Sequence, residues 1–485
     1  MNTELDVSAW GIYDLFIHNY INLNYRLVSK EKEVSRVSRE KLLAEYSQKI
    51  EEAYRRRTPK SAQLVEGFAS KYCSDGDYRQ VPWFDPYPPV MARGDGCHLY
   101  DVDGHSYIDL SNNWTAGVLG INPPKVLTAI REAQEQYGLA FAAPTESVYQ
   151  WAQMICERIP SVEKIRFCCT GAEAVMFAIR GARAYTGKDK ILKMEGNYHG
   201  TYDPVEQEVG WRSLPLGLPK SVEKDVLATP FNDKEAAERI IRENKDELAV
   251  VIVEGVMGAA GMIPPKDDYL KFLRKVTTEN NVLLIIDEVI SFRLATGGAQ
   301  QIYDVKPDLT VLGKSIAGGL PAAAFGGRED IMAVFSPKQK RPVHHGGTFI
   351  ATPATAAAGI AGLKEMNKEA LDRINSLGDS LAEGIRGILA ELKIKAQING
   401  YGSLHQIHFT PEPVTRAAST DEGMDIRRLF HLAVLSRGMF TQKRVQYNVS
   451  TPMTQTEINE AIAATADGLS ELKPLIKEIA PHLIG

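Results

Sequence analysis

The stretch Leu309-Thr-Val-Leu-Gly-Lys-Ser-Ile-Ala-Gly-Gly-Leu-Pro321 places Lys314 directly after a short apolar run and among residues with little side-chain bulk. This pattern predicts a buried strand that ends in an open, glycine-rich loop. A solvated surface lysine has no need of such surroundings. We therefore interpret Lys314 as an amine held in a pocket that has room beside it for a planar ring.

A carboxylate follows a second apolar run upstream. The segment Val282-Leu-Leu-Ile-Ile-Asp287 ends in an acid, and an acid at the end of a buried strand needs a cationic partner. A lysine amine together with such an acid is what pyridoxal phosphate requires. The lysine forms a Schiff base with the cofactor, and the acid keeps the pyridine nitrogen protonated so that the ring can accept electrons.

Helices and continuous apolar strands alternate between about residues 125 and 330. The predicted strands are Lys164–Cys169, Lys190–Met194, Ala249–Val253, Val282–Ile286 and Leu309–Leu312. The predicted helices are Pro124–Tyr137, Ser147–Arg158, Ala172–Tyr185, Lys234–Asn244 and Asp267–Asn280. Continuous apolar strands with helices between them are typical of a mostly parallel sheet that is covered on both faces. The fold class is therefore α/β.

The rest of the chain predicts a smaller α+β domain. It includes a hairpin that turns at Asp103-Gly104 and the long helices Thr355–Asn367, Glu369–Leu392 and Thr454–Leu472. We divide the chain into an N-terminal helical extension (1–55), an N-terminal part of the small domain (56–115), a large domain (116–345) and a C-terminal part of the small domain (346–485). Apolar residues at helical spacing in Lys41–Arg57 indicate a docked helix or a dimer contact.

Composition excludes several classes of function. The chain has 485 residues and a formal net charge of −5, from 56 Lys and Arg against 61 Asp and Glu, so we expect no nucleic acid and no acidic membrane surface as partner. The five cysteines show no metal-binding spacing, so no metal site is predicted. The early acids Glu4 and Asp6 and the lack of an apolar core argue against a signal peptide, and we expect a cytoplasmic protein. Neither a P-loop nor a GxGxxG motif occurs.

Polar residues stand at four predicted strand ends, which are Thr170, Glu254, Asp287 and Lys314. Ligands gather at the carboxyl ends of the strands in an open parallel sheet, so these residues are expected to line one cofactor site. Thr170, Gly171 and Ala172 also open a helix, whose N-terminus offers free N–H groups to a phosphate. A turn with a helix N-cap is the alternative for Thr170.

Further candidates lie in loops. Tyr198 and His199 follow a strand in a glycine-rich loop, where an aromatic ring stacks on a cofactor or lies on the surface. Thr348 follows two glycines and binds a phosphate or caps the next helix. Arg79 and Arg444 are candidates for clamping a substrate carboxylate, with a solvated surface arginine as the alternative for each.

With these residues in view, the chain resembles the class III, fold-type-I pyridoxal-phosphate aminotransferases. The branch it resembles most contains glutamate-1-semialdehyde aminomutase and the β-phenylalanine aminotransferases. The resemblance covers roughly residues 60–475 and rests on the segments Gly94–Gly104, Arg166–Arg180, Lys190–Gly200, Asp287–Arg293, Pro307–Lys314 and Gly346–Phe349. It implies a seven-stranded type of sheet between helices, and pyridoxal 5′-phosphate as the cofactor.

The resemblance also implies roles for single residues. Lys314 would be the Schiff-base lysine and proton shuttle, and Asp287 would bind the pyridine nitrogen. Val289 would pack under the ring and Tyr198 would stack on it. The backbone N–H groups of Gly171 and Ala172 would bind the phosphate.

Other implied residues concern the substrate and a second subunit. Thr348 would bind the phosphate of a neighbouring subunit, which implies a homodimer with shared sites. Arg79 falls where the family places an arginine on a substrate carboxylate, and Trp114 falls where an aromatic residue lines the substrate side.

The resemblance predicts an aminotransferase that moves an amino group from an α- or β-amino acid to an oxo acid such as 2-oxoglutarate, by a ping-pong mechanism. An aminomutase or an amino-acid racemase or epimerase is the alternative on the same scaffold. At the position of Ala259, glutamate-1-semialdehyde aminomutase has an asparagine, and near the position of Val445 it has an acidic residue. This chain has neither. Both differences argue against that particular activity.

Overall fold

The computed structural model describes residues 39–79, 83–206, 216–417 and 423–485. Most of the predicted N-terminal extension lies outside the described residues, whereas the helix predicted over Lys41–Arg57 is present as α1, residues 39–57. Of the helices in these four ranges, none combines the length and the apolar character that crossing a membrane requires.

The strands are named in chain order. They are β1 Met91–Asp95, β2 His98–Asp101, β3 Ser106–Asp109, β4 Lys164–Cys168, β5 Lys190–Met194, β6 Val226–Thr229, β7 Leu248–Glu254, β8 Leu283–Asp287, β9 Leu309–Leu312, β10 Ala323–Gly327, β11 Gln397–Tyr401, β12 Leu404–His408, β13 Met439–Phe440 and β14 Gln446–Asn448. The large sheet has seven strands in the order β4-β10-β9-β8-β7-β5-β6. Every neighbouring pair is parallel except the two that involve β10.

The helices cover the sheet and form the rest of the molecule. They are α2 Pro59–Ala62, α3 Pro124–Tyr137, α4 Glu146–Arg158, α5 Gly171–Thr186, α6 Asp203–Glu206, α7 Lys234–Asn244, α8 Tyr269–Glu279, α9 Ala299–Ile302, α10 Glu329–Met332, α11 Pro353–Glu365, α12 Lys368–Glu391, α13 Met424–Leu435 and α14 Gln455–Ile479. The last helix passes through Pro474 and ends seven residues beyond the predicted Leu472. Its final turns bury Leu475, Ile476 and Ile479, and this packing outweighs the proline.

The predicted α/β class and the mostly parallel sheet are confirmed. All residues of β7, β8 and β9 are buried, as continuous apolar strands between two helical layers require. β6 and β10 were not predicted from the sequence. In β10, Gly326 and Gly327 lie so close to neighbouring strands that a Cβ would approach carbonyl oxygens at 2.5 and 2.2 Å. Glycine has a low strand propensity, so residue preferences did not predict β10. The close approach of the neighbouring backbones nevertheless requires these glycines.

Two smaller sheets lie outside the large one. One has the order β1-β2-β3-β13 and joins the N-terminal hairpin to a C-terminal strand. The other has the order β11-β12-β14. The division of the chain into domains stays a prediction. For function, the important feature is that β5, β7, β8 and β9 run parallel, so that the segments following them meet at one edge of the sheet.

Candidate active site

An aspartate and a histidine form the centre of the site at the carboxyl end of β8. Asp287 is buried, and its Oδ2 lies 2.8 Å from Nδ1 of His199. Its Oδ1 accepts a hydrogen bond from the backbone N–H of Val289 at 2.9 Å. Burial lowers the pKa of His199, although the neighbouring aspartate opposes the shift. A neutral imidazole donates from Nδ1 to Asp287, and its Nε2 is buried with no hydrogen-bond partner in the described structure.

A second carboxylate lies beside the first on the adjacent strand. Glu254 at the end of β7 pairs in register with Asp287, so the two side chains emerge on the same face of the sheet. Glu254 is buried and accepts hydrogen bonds from the N–H groups of Tyr198 and Gly258 at 3.1 and 3.2 Å. Burial and then repulsion by Asp287 raise the pKa of Glu254 to about 8. Glu254 therefore favours its neutral form near neutral pH, beside the second buried carboxyl group of Asp287.

Lys314 follows β9 at the same edge of the sheet. Its backbone has a φ of +51°, which is strained for a residue with a side chain. Burial of its amine and, less strongly, the positive charge of Arg293 lower the pKa of Lys314 to about 8, while Glu254 and Asp287 oppose the shift. An amine with this pKa both accepts and releases a proton near neutral pH.

The residues around Lys314 form a cradle that suits a planar ring with a phosphate. The Val289 side chain lies between two glycines, because a Cβ on either Gly171 or Gly313 would meet it at 3.3 Å. The first N–H groups of α5 start at Gly171 and have no partner within the helix, so they are free for an anion. With the orphaned buried nitrogen of His199, these features fit the expected pyridoxal phosphate.

Both readings of Thr170 are compatible with the structure. Its hydroxyl accepts a hydrogen bond from the Glu173 N–H at 3.2 Å, and Glu173 bonds back to the Thr170 N–H at 2.9 Å, which makes a capping box. The box orients the helix start whose N–H groups are predicted to bind phosphate. Gly200 packs closely on this helix, because a Cβ there would lie 2.5 Å from that of Ala172.

The aromatic candidates lie on the open side of the site. Tyr198 is 41% exposed, and its backbone N–H is bound by Glu254. Trp114 is partly buried and lies in a turn whose first and last residues contact Arg293. Arg293 was not predicted as a site residue. It lies in the 3-10 segment Ser291–Leu294, six residues after Asp287 at the end of β8, and its place at the end of the Asp287–Arg293 segment was a signal in the sequence.

The two candidate arginines differ in their surroundings. Arg444 is partly buried, burial lowers its pKa, and the charge of Glu254 opposes that shift, so the guanidinium lies within the field of the site. Among the described residues no carboxylate lies within ion-pair distance of Arg444. Arg79 is exposed and lies over the ring of Tyr78 at 5.5 Å.

Thr348 lies in the chain between α10 and α11. It is exposed in the loop before α11, and the N-cap of that helix is Thr352, whose hydroxyl binds the Thr355 N–H at 3.3 Å. The alternative in which Thr348 caps the helix is therefore wrong. Its predicted role toward the phosphate of a second subunit stays a prediction.

We expect Glu254→Gln to remove a pH-dependent destabilisation. Because the pKa rises from 4.5 to about 8 on folding, the folded protein holds a proton that the unfolded chain releases, and stability falls as pH rises through that window. In the variant, the decrease in the free energy of unfolding between about pH 5 and about pH 8 should be smaller than in the wild type by about 1–3 kcal/mol. Thermal midpoints measured across the window test this. The same substitution at the exposed Glu235 is the control, and an unchanged slope in Glu254→Gln would contradict the neutral acid.

Residues 81–442 match the family described as aminotransferase class-III. The matched region is well over half of the chain, and it contains all the strands of the large sheet. The chain belongs to the class-III aminotransferases. It is an enzyme of a pyridoxal-phosphate-dependent family, and the resemblance noted in the sequence is confirmed.

Individual class-III relatives carry different activities in their names. The chain is 41% identical over 381 residues to glutamate-1-semialdehyde 2,1-aminomutase of Methanobrevibacter smithii, which covers 77% of this chain and 89% of that protein. The structure is also similar to a β-phenylalanine aminotransferase from Variovorax paradoxus, with a TM-score of 0.83, 33% identity, and coverage of 90% of this chain and 99% of that one. A transaminase with bound PLP has a TM-score of 0.80, 32% identity, and coverage of 87% and 99%.

Proposed function

We propose that the protein is a pyridoxal-phosphate-dependent aminotransferase that moves the amino group of an amino acid to an oxo acid such as 2-oxoglutarate. The observation that carries this proposal is the Lys314 amine, whose pKa of about 8 suits proton transfer and which lies in the field of Asp287 and Glu254 at the same edge of the sheet. Pyridoxal phosphate supplies, when bound, an aldehyde that exchanges amines and a ring that takes up an electron pair.

The residues of the chain have distinct tasks in this proposal. Lys314 would hold the cofactor covalently, and its free amine would move a proton at the reacting carbon. Asp287 would bind the ring nitrogen of the cofactor, and His199 orients that carboxyl group through the 2.8 Å hydrogen bond. The N-terminus of α5 holds the phosphate through the N–H groups of Gly171 and Ala172.

Arg444 is the group that we assign to the substrate carboxylate. A guanidinium that is partly desolvated and has no ion-pair partner among the described residues gains most from a ligand carboxylate. Arg79 is a second candidate for the substrate carboxylate. Burial lowers the pKa of Lys443, which is next to Arg444, and the charge of Asp77, two residues before Arg79, opposes that shift. Both α- and β-amino acids carry the required carboxylate.

The aminomutase reaction is the second candidate, because the named Methanobrevibacter relative is 41% identical. The structure brings together the two positions that distinguish this chain from such enzymes. Gln446, next to Val445, donates a hydrogen bond from Nε2 to the Gly258 carbonyl at 3.2 Å, next to Ala259. Ala259 and Val445 thus lie on neighbouring segments. Both are apolar, so this part of the chain lacks the asparagine amide and the acidic group of the aminomutase. This arrangement supports amino transfer between two substrates.

The deciding experiment is a titration of the purified protein, loaded with pyridoxal phosphate, with a panel of α- and β-amino acids in the absence of any oxo acid. Conversion of the cofactor absorbance to the pyridoxamine form, with release of one oxo acid per site, supports the aminotransferase. Turnover of glutamate-1-semialdehyde without added oxo acid supports the aminomutase and refutes the first proposal. Deuterium exchange at the substrate α-carbon without conversion of the cofactor supports a racemase.

We further propose that the enzyme is a homodimer with sites shared between subunits. Thr348 and the neighbouring Phe349, which is 68% exposed, lie at the surface of the chain. Leu139 and Phe141 are also exposed, by 77% and 48%. Large exposed apolar side chains are typical of surfaces that another protein covers.

Complementation between two inactive variants tests the shared site. Lys314→Ala removes the amine, and Thr348→Asp places a negative charge against the phosphate. If Thr348 serves the partner's site, a mixed dimer contains one intact site, and an equal mixture should recover about a quarter of the wild-type activity. Either variant mixed with itself is the control. No recovery in a mixture that forms dimers by light scattering would contradict the shared site.

A further inference from the structure

One turn of left-handed backbone carries Trp114. The φ angles of Asn112, Asn113, Trp114 and Thr115 are +47°, +44°, +58° and +72°. Left-handed conformation is unfavourable for residues with a side chain and is normally visited by single residues, with asparagine the most tolerant after glycine. Four such residues in succession, with a tryptophan and a threonine among them, need strong external contacts to persist.

Arg293 supplies those contacts at both ends of the turn. Its Nη1 donates to Asn112 Oδ1 at 3.1 Å and to the Thr115 carbonyl at 3.2 Å, and its Nη2 donates to the Val449 carbonyl. The same side chain thus joins the first residue of the turn, the last residue of the turn and the segment after β14. The buried Asp109 adds a second anchor by accepting from the Asn112 N–H at 2.9 Å.

The hydrogen bonds from Arg293 to the two ends of the turn, called the clamp below, require the burial of a charged group, which is unfavourable. Arg293 is completely buried, and among the described residues no carboxylate lies within ion-pair distance of it. Burial lowers the pKa of Arg293 to about 9. A buried charge that has only neutral acceptors is a poor source of stability, so a need for defined geometry explains it better than stability does.

We propose that Arg293 is a positioning residue for catalysis, which clamps the left-handed turn so that Trp114 forms a rigid wall on the substrate side of the site. This inference rests on the proposed function, because it assigns Trp114 to the substrate. The positive charge of Arg293 also favours the neutral form of the Lys314 amine. Arg293 itself touches neither substrate nor cofactor in this proposal, so its effect passes through Trp114 and Lys314.

The consequence is a specific kinetic pattern. Loosening the turn removes contacts that substrate and transition state share, which raises KM more than it lowers kcat. We expect Arg293→Lys to raise KM for the amino donor about tenfold or more. The preference among donors of different size should also become weaker, because a displaced Trp114 no longer orients the substrate. The variant keeps the charge, whereas the shorter ammonium cannot span both ends of the turn.

Fluorine NMR of the holoenzyme labelled with 5-fluorotryptophan tests the clamp without any turnover. The Trp114 signal is assigned by its loss in Trp114→Phe. We expect this signal to broaden or shift in Arg293→Met and Arg293→Lys, while the signal of the buried Trp151, whose indole N–H donates to the Ile316 carbonyl, stays unchanged. Adding Asn113→Gly to Arg293→Lys should restore part of the sharp signal and of KM, because glycine adopts positive φ without strain.

The outcomes separate the two proposals. An unchanged Trp114 signal together with an unchanged KM in both arginine variants overturns the clamp. A changed signal in an enzyme that fails to transaminate any amino acid refutes the proposed function and leaves the clamp standing. If Arg293→Met does not fold, Asn112→Ala removes one acceptor of the clamp and should change the same signal, and an unchanged signal there counts equally against the proposal.

Discussion

Replacement of Lys314 by alanine should lower kcat by about 10⁴-fold or more, because the site loses both its covalent attachment and its proton carrier. The amine has a pKa of about 8 and lies in the field of two carboxylates, and among the described residues no other lysine is placed in this way at the edge of the large sheet. The variant should still bind the cofactor non-covalently, with an absorbance spectrum different from that of the wild type. Stopped-flow measurement of the half-reaction checks the rate.

A control and a rescue make the Lys314 result specific. The exposed Lys125 pairs with Glu365 on the surface, and Lys125→Ala should retain wild-type rates. Small primary amines added to Lys314→Ala should restore part of the rate, more for the more basic amines, since they replace the missing proton carrier. Retention of the wild-type spectrum and of the rate in Lys314→Ala would overturn the assignment of this residue.

Replacement of Asp287 by asparagine should have the second-largest effect. The change keeps the shape and the hydrogen bonds to His199 and Val289 within reach, and it removes the negative charge that the ring nitrogen requires. We expect kcat to fall by about 10²–10³-fold, as for loss of one preorganised electrostatic contact. Thermal stability should change little, so the loss appears in single-turnover rates rather than in the folded fraction.

Glu254 offers a matched control for Asp287. The two residues pair in register on adjacent strands, and Glu254→Gln makes the same exchange of an acid for an amide. Because burial and Asp287 raise the pKa of Glu254 to about 8, its side chain is already neutral at pH 7, and the glutamine should remain within about tenfold of the wild-type rate. Equal losses in Asp287→Asn and Glu254→Gln would contradict the division of charge proposed for the pair.

Local pattern determined much of the fold and the positions of the key residues. The apolar runs that became β7, β8 and β9 are long and uninterrupted, so burial on both faces could be read directly from them. A polar residue at the end of such a run lies at the ligand edge of the sheet, whatever the details of packing. For this reason the positions of Lys314 and Asp287 at strand ends could be predicted without coordinates, and the helix predicted from Ala172 begins one residue earlier, at Gly171.

Other features depend on contacts between residues far apart in the chain, and only the tertiary structure decided them. The glycine-rich strand β10 exists because neighbouring backbones approach it, and the Asp287–His199 bond joins residues 88 positions apart. The left-handed turn at Trp114 accepts hydrogen bonds from Arg293, which lies nearly 180 residues later in the chain. Periodicity and propensity report only the preferences of neighbouring residues, whereas strain, burial of charge and shifted pKa values arise when distant groups are brought together.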